Sequence, residues 1–393
     1  MDLGFQPPSN AYRSEEQLLE PESVFPLKAN VCQRCFLVQT EDYTSREILF
    51  DSEYAYFSST STSWLKHAKN YSKKIIEKQQ LGNKSFVIEL ACNDGYLLKN
   101  FKKAGIPCLG VEPTLSTANA AEVLGIEVIK DFFGQKLSYQ ISKAYQKADL
   151  IVANNVYAHV PDINDFTLGI KNLLAENGVV TIEFPHLLNL LLEKQFDTIY
   201  HEHFSYFSLF TVKKIFEAFG LRIFDVEILT THGGSLRIYG CHVESKYETC
   251  KAVSDVLANE TAHGLTSLCS YMGFQTEIEN IKNIFLRTLI KIKTRNKLIL
   301  GYGAAAKGNT LLNYAGVKKD LLPCVFDASK SKQGKYLPGS HVPILPVEKI
   351  PEQSADYILI LPWNIKGEII SQLKGVVGKK VKFVTAIPSL EIY

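Results

Sequence analysis

The sequence predicts an α/β protein: a Rossmann-like central domain, a second and smaller Rossmann-like domain after it, and a short irregular module before it. Apolar runs of strand length alternate with helix-length segments from about residue 86 to residue 184, which is typical of a parallel sheet covered by helices. The alternation restarts near residue 297. A chain of 393 residues is also too long for one hydrophobic core and suits two or three domains.

The N-terminal segment, residues 1–60, is rich in Pro, Ser, Tyr and acidic residues and shows little periodicity. It therefore predicts a module without regular structure. Ser63–Leu81 predicts a helix, because apolar residues recur there on one helical face. These apolar residues are Leu65, Ala68, Tyr71 and Ile75.

The predicted central domain covers residues 61–245. Helical runs such as Tyr96–Ala104 and Asn164–Leu174 separate its strand candidates. A further helix, Leu209–Phe219, precedes two strands that we expect to add antiparallel strands at the sheet edge. The strand candidates are Phe86–Leu90, Pro107–Val111, Glu127–Ile129, Asp149–Ala153, Gly178–Phe184, Arg222–Leu229 and Ser235–His242.

The predicted C-terminal domain covers residues 246–393 and begins with a charged, mostly helical stretch, Tyr247–Arg295. A Gly/Ala turn then enters a helix at Gly303–Leu311. The pattern indicates a second doubly wound unit. Its strand candidates are Lys297–Tyr302, Leu322–Asp327, Ala355–Leu361 and Val381–Ala386.

The composition excludes several classes of protein. The formal net charge is only +2, so no sequence-independent affinity for nucleic acid is expected. No apolar stretch reaches the roughly 20 residues that span a bilayer. The N-terminus lacks the basic start and apolar core of a signal peptide. Eight cysteines, mostly scattered singly, indicate reduced, cytoplasmic usage.

The run Tyr200-His201-Glu202-His203 places a phenol, two imidazoles and a carboxylate side by side. Such a cluster is a candidate for acid/base chemistry, because histidine titrates near neutral pH. A metal site is the alternative: His201 and His203 would share a face in an extended chain, with His186 as the nearest third ligand.

A second cluster follows the strand Phe86–Leu90 and predicts a nucleoside cofactor. The turn Ala91–Gly95 lacks the dinucleotide-binding glycines and holds an acid, Asp94, that would repel pyrophosphate. This disfavours NAD and favours a cofactor with a sulfonium or ammonium group, such as S-adenosylmethionine. Glu112, at the end of the next strand, is the expected ribose acceptor. The predicted cofactor residues are Glu89, Ala91, Asn93, Asp94, Gly95, Glu112, Pro113 and Asn154.

Three further motifs are candidate binding sites, and two of them have a structural alternative. Asn154-Asn155 and His159 follow a strand, where they either meet a ligand or cap the next helix. Cys32 and Cys35 have zinc-knuckle spacing but make only half a site, because no second Cys-x-x-Cys exists. Gly301–Thr310 is either a turn that holds an anion at a helix start or a purely structural turn.

The sequence resembles the S-adenosylmethionine-dependent sugar C-methyltransferases, which methylate nucleotide-linked keto-deoxysugars. The resemblance is carried by motifs that run in order along nearly the whole chain. It implies a zinc module, a central class I methyltransferase domain and a C-terminal Rossmann-like domain. The matching stretches are Met1–Tyr12, Tyr54–Ser59, Glu89–Gly95, Asn154–Val160, Tyr200–Phe204, His232–Arg237 and Gly301–Asn313.

The resemblance also implies roles for the central cluster. His203 would be the general base, and Tyr200, Glu202, His159 and Tyr54 would hold the sugar and orient that base. The chain departs from the family at its start, because family members carry a first Cys-x-x-Cys before the Leu-Gly-x-x-Pro stretch at which this sequence begins. We therefore expect no tightly bound zinc in the protein as given.

The expected reaction is methyl transfer to a carbon next to a sugar ketone. His203 would remove the proton, Glu202 would hold or polarise its ring, and Tyr200 or His159 would donate to the enolate oxygen. The expected partner is a nucleotide-linked keto-deoxysugar, bound by a monomer without nucleic acid or membrane. An O- or N-methyltransferase and a non-catalytic nucleotide-sugar-binding protein are the alternatives.

Overall fold

The structure is a computed structural model that describes residues 1–43, 57–378 and 380–393. Its described strands form three sheets, which follow one another along the chain with one exception. A short strand from the middle of the chain, β9 (Ser205–Tyr206), belongs to the N-terminal sheet. This exception brings the predicted acid/base cluster against the N-terminal module.

The central sheet has seven strands in the order β10-β11-β8-β7-β4-β5-β6. β6, β5, β4, β7 and β8 pair in parallel, whereas β11 runs antiparallel to both β8 and β10. The predicted parallel sheet with antiparallel edge strands is confirmed. The strands are β4 (Val87–Leu90), β5 (Cys108–Val111), β6 (Glu127–Ile129), β7 (Ala148–Asn154), β8 (Leu174–Pro185), β10 (Leu221–Leu229) and β11 (Ser235–His242).

Helices flank this sheet and bury one face each. The first, α1 (Thr62–Gln79), begins where the Ser61 hydroxyl accepts the Trp64 N–H, and its predicted apolar face buries Ala68, Tyr71 and Ile75. The helices that follow are α2 (Leu98–Lys103), α3 (Leu115–Val123), α4 (Gln135–Ala144), α5 (Ile163–Leu173), α6 (Leu187–Leu192) and α7 (Leu209–Ala218).

The C-terminal sheet has six strands in the order β14-β13-β12-β15-β16-β17. All neighbours pair in parallel except β16 and β17, which confirms a second Rossmann-like unit. Two strands, β14 (Ile344–Pro346) and β17 (Glu391–Ile392), were not predicted because they are only three and two residues long. The other elements are α8 (Lys251–Ala262), α9 (Phe274–Thr294), β12 (Ile299–Tyr302), α10 (Ala306–Ala315), β13 (Val325–Asp327), β15 (Tyr357–Ile360), α11 (Lys366–Leu373) and β16 (Lys382–Thr385).

The N-terminal module is not irregular, so that prediction was wrong. β1 (Asp2–Gln6), β2 (Phe25–Val31) and β3 (Val38–Thr40) form an antiparallel sheet. β3 also pairs with β9, Val38 opposite Tyr206. Local periodicity did not indicate this sheet because its fourth strand, β9, lies far along the chain.

The N-terminal and C-terminal modules share one hydrophobic core that also includes the helix α6. Leu3 and Leu27 of the N-terminal sheet and Leu311 and Trp363 of the C-terminal unit are buried in it. Both modules therefore pack together beside the central domain. The predicted boundaries at residues 60 and 245 stay predictions. Within the described residues, no helix combines the length and apolar character needed to cross a membrane.

Candidate active site

The turn after β4 forms one side of the candidate site. Ala91, Asn93 and Gly95 have positive φ angles of 55°, 50° and 74°, a conformation that costs energy for residues other than glycine. The Glu112 carboxylate holds this turn: one oxygen accepts the Asn93 N–H and the other the Thr114 N–H, both at 2.9 Å. Glu112 thus shapes the turn in which the cofactor residues are predicted to lie.

Three buried carboxylates crowd this turn. Burial, followed by the charges of Asp94 and Glu112, raises the pKa of Glu89 well above its usual range. Burial also raises the pKa of Glu112, against the hydrogen bonds it accepts. Such a cluster favours a cationic ligand and repels phosphates.

The same edge of the sheet carries open acceptors. Glu89 Oε2, Asp94 Oδ1 and Asn154 Oδ1 are buried and have no hydrogen-bond partner among the described residues. Buried acceptors without donors are costly. They fit S-adenosylmethionine, whose ammonium, ribose hydroxyls and adenine amino group are donors.

A short segment covers the cofactor turn from outside. The backbone N–H groups of Ser58 and Ser59 donate to Asn93 Oδ1 at 2.9 Å and Asp94 Oδ2 at 3.0 Å. Tyr54, a predicted sugar-holding residue four positions earlier, lies outside the described residues. Pro113 is half-buried beside Glu112.

The predicted base, His203, lies in a turn closed by its own N–H, which donates to the Tyr200 carbonyl at 2.9 Å. Its Nδ1 donates to the Thr198 carbonyl at 3.0 Å. Because a carbonyl only accepts, this bond places the ring proton on Nδ1 and leaves Nε2 as the proton acceptor. Burial, then the charge of His159, lowers the pKa of His203 well below its usual range, so the ring is neutral.

Two other predicted residues surround this ring. The Tyr200 and His159 ring centroids lie 4.0 Å and 4.6 Å from that of His203. His159 Nδ1 donates to the Glu202 carbonyl at 2.7 Å, and burial lowers the pKa of His159 to about 4. The structure therefore brings Tyr200, His159 and His203 together, with both imidazoles neutral.

Glu202 does not hold the His203 ring, so that expected contact was wrong. Its Oε1 accepts both the backbone N–H and the side-chain amide of Asn10 at 3.2 Å. Its Oε2 is buried without a partner among the residues described. The Thr198 carbonyl orients His203 instead, because the turn directs the Glu202 side chain toward the N-terminal segment.

The metal alternative also fails, because His201 and His203 do not share a face. His201 Nε2 donates to the Pro26 carbonyl at 3.2 Å. His186 is paired at 2.7 Å with Glu260. Across residues 1–43, 57–378 and 380–393, no group of three or more His, Cys, Asp or Glu side chains is placed to hold a metal ion.

Cys32 and Cys35 lie in the connection between β2 and β3, both half-buried. Hydrogen bonds from the Cys35 and Arg34 backbone lower the pKa of Cys32, whereas burial raises that of Cys35. Two thiols without a third ligand in the described chain do not fit a closed structural zinc site.

The Gly/Ala turn before α10 is not an open anion nest. The N–H groups of Gly303, Ala304 and Ala305 donate to Phe326, Asp327 and Gly303 oxygens. Asn309 and Thr310 are also occupied: they donate to the Ser9 and Ile199 carbonyls at 2.7 Å and 3.0 Å. Asn309 and Thr310 therefore tie the C-terminal unit to the other modules.

Three residues that hold the turn around His203, residues 197–203 and called the base turn below, were not predicted from the sequence. Asn10 binds Glu202, and the Trp363 indole donates to Asp197 Oδ2 at 2.7 Å. No spacing rule connects Trp363 to Asp197 across 166 positions. The only local signal was an acid, Asp197, in an apolar stretch close to the cluster.

Comparison with solved structures finds partial matches. Magnesium protoporphyrin IX methyltransferase from Synechocystis PCC 6803, with bound SAM, is 14% identical, at a TM-score of 0.33 over 44% of this chain and 79% of that chain. A SAM-dependent methyltransferase from Archaeoglobus fulgidus is 18% identical, at a TM-score of 0.33 over 42% of this chain and 71% of that one.

Three family models match successive parts of the chain. The model described as "Putative zinc binding domain" matches residues 1–50, "Methyltransferase domain" matches residues 64–226, and "C-methyltransferase C-terminal domain" matches residues 230–388. C-methyltransferase NovU from Streptomyces niveus is 32% identical over 388 residues, which cover 99% of this chain and 92% of NovU. The chain therefore belongs to the S-adenosylmethionine-dependent C-methyltransferase family and is an enzyme of that class.

Proposed function

We propose that this enzyme methylates the carbon next to the ketone of a nucleotide-linked keto-deoxysugar, through an enolate. The observation that carries the proposal is the neutral His203 ring, fixed by the Thr198 carbonyl through Nδ1 and left with Nε2 as a base. A carbon nucleophile requires such a base, because the hydrogen next to a ketone must leave before a C–C bond forms.

The chain's own residues supply binding and orientation. The carboxylates near Ala91–Gly95 attract the cationic cofactor, which supplies an electrophilic methyl group on sulfur. Tyr200 lies against the base at a 4.0 Å ring distance and suits a sugar hydroxyl or carbonyl. Holding the sugar carbon beside the base contributes through proximity and orientation.

The nucleotide part of the substrate requires a binding surface beyond the residues around His203. We assign it to the C-terminal unit, which meets the base turn through Thr310 and Trp363. The backbone N–H groups of residues 303–305 are excluded as diphosphate donors because they bond within the protein.

Hydrogen exchange in heavy water tests the reaction. The enzyme is incubated with a 4-keto-6-deoxyhexose linked to thymidine or guanosine diphosphate, and the hydrogens next to the ketone are followed by NMR. We expect exchange at one carbon with S-adenosylhomocysteine present, and a new C-methyl group there with S-adenosylmethionine. A methyl group found on oxygen or nitrogen, without exchange, would replace the proposal by an O- or N-methyltransferase.

A further inference from the structure

One lysine of the C-terminal unit has fewer partners than its charge requires. Lys307 lies in the first turn of α10, and its ammonium donates to Asn364 Oδ1 at 2.8 Å. The ammonium also lies 4.6 Å from the Trp363 ring centroid. No carboxylate of the described residues lies within the 4.0 Å ion-pair distance of this ammonium. An ammonium has three N–H donors, so two remain for a ligand.

The contacts around Lys307 place it next to the base turn. Thr310, one helical turn later and on the same face of α10, donates to the Ile199 carbonyl. The Trp363 ring that Lys307 covers donates to Asp197. Asp197 and Ile199 flank Thr198, the residue whose carbonyl orients the base. The C-terminal unit therefore brings one cation to the segment that carries His203.

Electrostatics agree with this placement. The positive charge of Lys307 contributes to the lowered pKa of both His203 and His232, after burial as the largest cause for each. Burial in turn lowers the pKa of Lys307, while the charge of Asp197 opposes this shift. A half-buried cation beside a neutral base is costly unless it serves an anion.

Neither His159 nor His203 supplies a donor for a developing oxyanion. His159 and His203 each carry a single ring proton, and both donate it in a hydrogen bond to a backbone carbonyl. Their Nε2 atoms are therefore acceptors. Of the two expected donors to the enolate oxygen, Tyr200 and His159, this tautomer excludes His159.

We infer that Lys307 binds the ketone oxygen of the sugar and stabilises the enolate oxygen while His203 Nε2 removes the adjacent proton. The inference rests on the proposed function. The C–H bond breaks and an N–H bond forms at His203. The C–H electron pair becomes the C=C bond, and the carbonyl π pair moves onto oxygen. Lys307 keeps its proton throughout and donates a charge-assisted hydrogen bond.

The substrate's diphosphate is the competing anion for Lys307. It has more charge than one ammonium can balance, and the neighbouring N–H groups at 303–305 are already bonded within the protein. The position of Lys307 beside the base turn favours the enolate oxygen. If Lys307 bound the diphosphate, replacing it would weaken the binding of a nucleoside diphosphate that carries no sugar. If Lys307 binds the enolate oxygen, that affinity would stay unchanged, so the two roles can be separated.

The test compares Lys307→Met and Lys307→Gln with wild type, and with Lys374→Met as a matched control at an exposed lysine of the same unit. Three quantities are measured: hydrogen exchange of the keto-sugar nucleotides named above, the dissociation constant of thymidine or guanosine diphosphate, and S-adenosylhomocysteine binding as a check of folding. The Gln side chain keeps hydrogen-bond donors but carries no charge, so Lys307→Gln tests the role of the charge if Lys307→Met does not fold.

We expect hydrogen exchange to fall about 100–1,000-fold, with both dissociation constants within about threefold of wild type and the control unchanged. Exchange at the wild-type rate in a folded variant would overturn the role of Lys307 and leave the proposed function standing. A tenfold or greater loss of nucleoside diphosphate affinity with exchange retained at saturating substrate would assign Lys307 to the diphosphate. Absence of exchange in the wild type would overturn both proposals.

Discussion

The indole N–H of Trp363 donates to the carboxylate of Asp197 at 2.7 Å, joining the C-terminal unit to the base turn of the central domain. Thr198, the next residue, orients His203 through its carbonyl. The second oxygen of Asp197 is buried without a partner in the described parts of the chain. The contact therefore holds the segment that orients His203, at the expense of an incompletely satisfied buried acid.

This acid should make stability fall as pH rises. Burial raises the pKa of Asp197 from 3.8 to about 6, so between those pH values the folded chain keeps a proton that the unfolded chain releases. The free energy of unfolding should lose roughly 3 kcal/mol across this window. Asp197→Asn should remove that loss and be the more stable protein at pH 7. Urea denaturation at pH 4 to 7 measures the free energy of unfolding, with Asp320→Asn as the exposed control. If the free energy of unfolding varied with pH in the same way in wild type and Asp197→Asn, the prediction would be wrong.

Replacing His203 by Asn should abolish methyl transfer while both ligands still bind. The amide fills the imidazole's space but accepts no proton at neutral pH, so turnover should fall by about 10²–10⁴-fold with little change in KM. Hydrogen exchange next to the ketone should vanish too. His263→Asn, at an exposed site, is the control. If the His203 variant lost transfer but kept exchange, another residue would be the base.

Replacing Glu112 by Ala should weaken cofactor binding about 10–100-fold, since hydrogen bonds to charged groups contribute roughly 1.5–3 kcal/mol. The change removes the expected ribose acceptor and the acceptors that hold the Asn93 and Thr114 N–H groups. Calorimetry with S-adenosylhomocysteine measures the loss, and Glu122→Ala on α3 is the control. Unchanged affinity would refute the assignment of this turn.

Cofactor binding near neutral pH should release protons. The raised pKa of Glu89 comes first from burial and then from neighbouring acids, and a bound cation favours the ionised carboxylate. Calorimetry of S-adenosylmethionine binding in buffers of different ionisation enthalpy counts the protons released. Glu89→Gln should release fewer protons than Glu176→Gln, an exposed control. Equal proton release by the two variants would contradict this, because it would show that Glu89 does not change its protonation state when the cofactor binds.

The protein as given should hold no tightly bound structural zinc, because Cys32 and Cys35 supply two of the four ligands that such a site needs. Elemental analysis after chelator treatment should find well below one zinc per chain. Stoichiometric zinc that disappears in Cys32→Ser would show that other ligands, or a second chain, complete the site.

The sequence was a reliable guide where the signal was local. Strand β6 (Glu127–Ile129) and strand β11 (Ser235–His242) were predicted to the residue. The bend at Ala91–Gly95 was recognised because a small residue and a glycine follow an apolar strand. In these cases the spacing of apolar residues and the residue types that favour turns are both set within about ten residues. A sequence pattern describes that range.

By itself the sequence determined the α/β class, the bend at Ala91–Gly95 and the grouping of Tyr200 with His203. Only the tertiary structure decided that Thr198 rather than Glu202 orients the His203 ring and that His201 turns to Pro26. It also decided that Thr310 of the C-terminal unit reaches this turn at the Ile199 carbonyl. The physical reason is that hydrogen bonds depend on which backbone carbonyls the packed modules bring within about 3 Å, and no spacing along the chain encodes that.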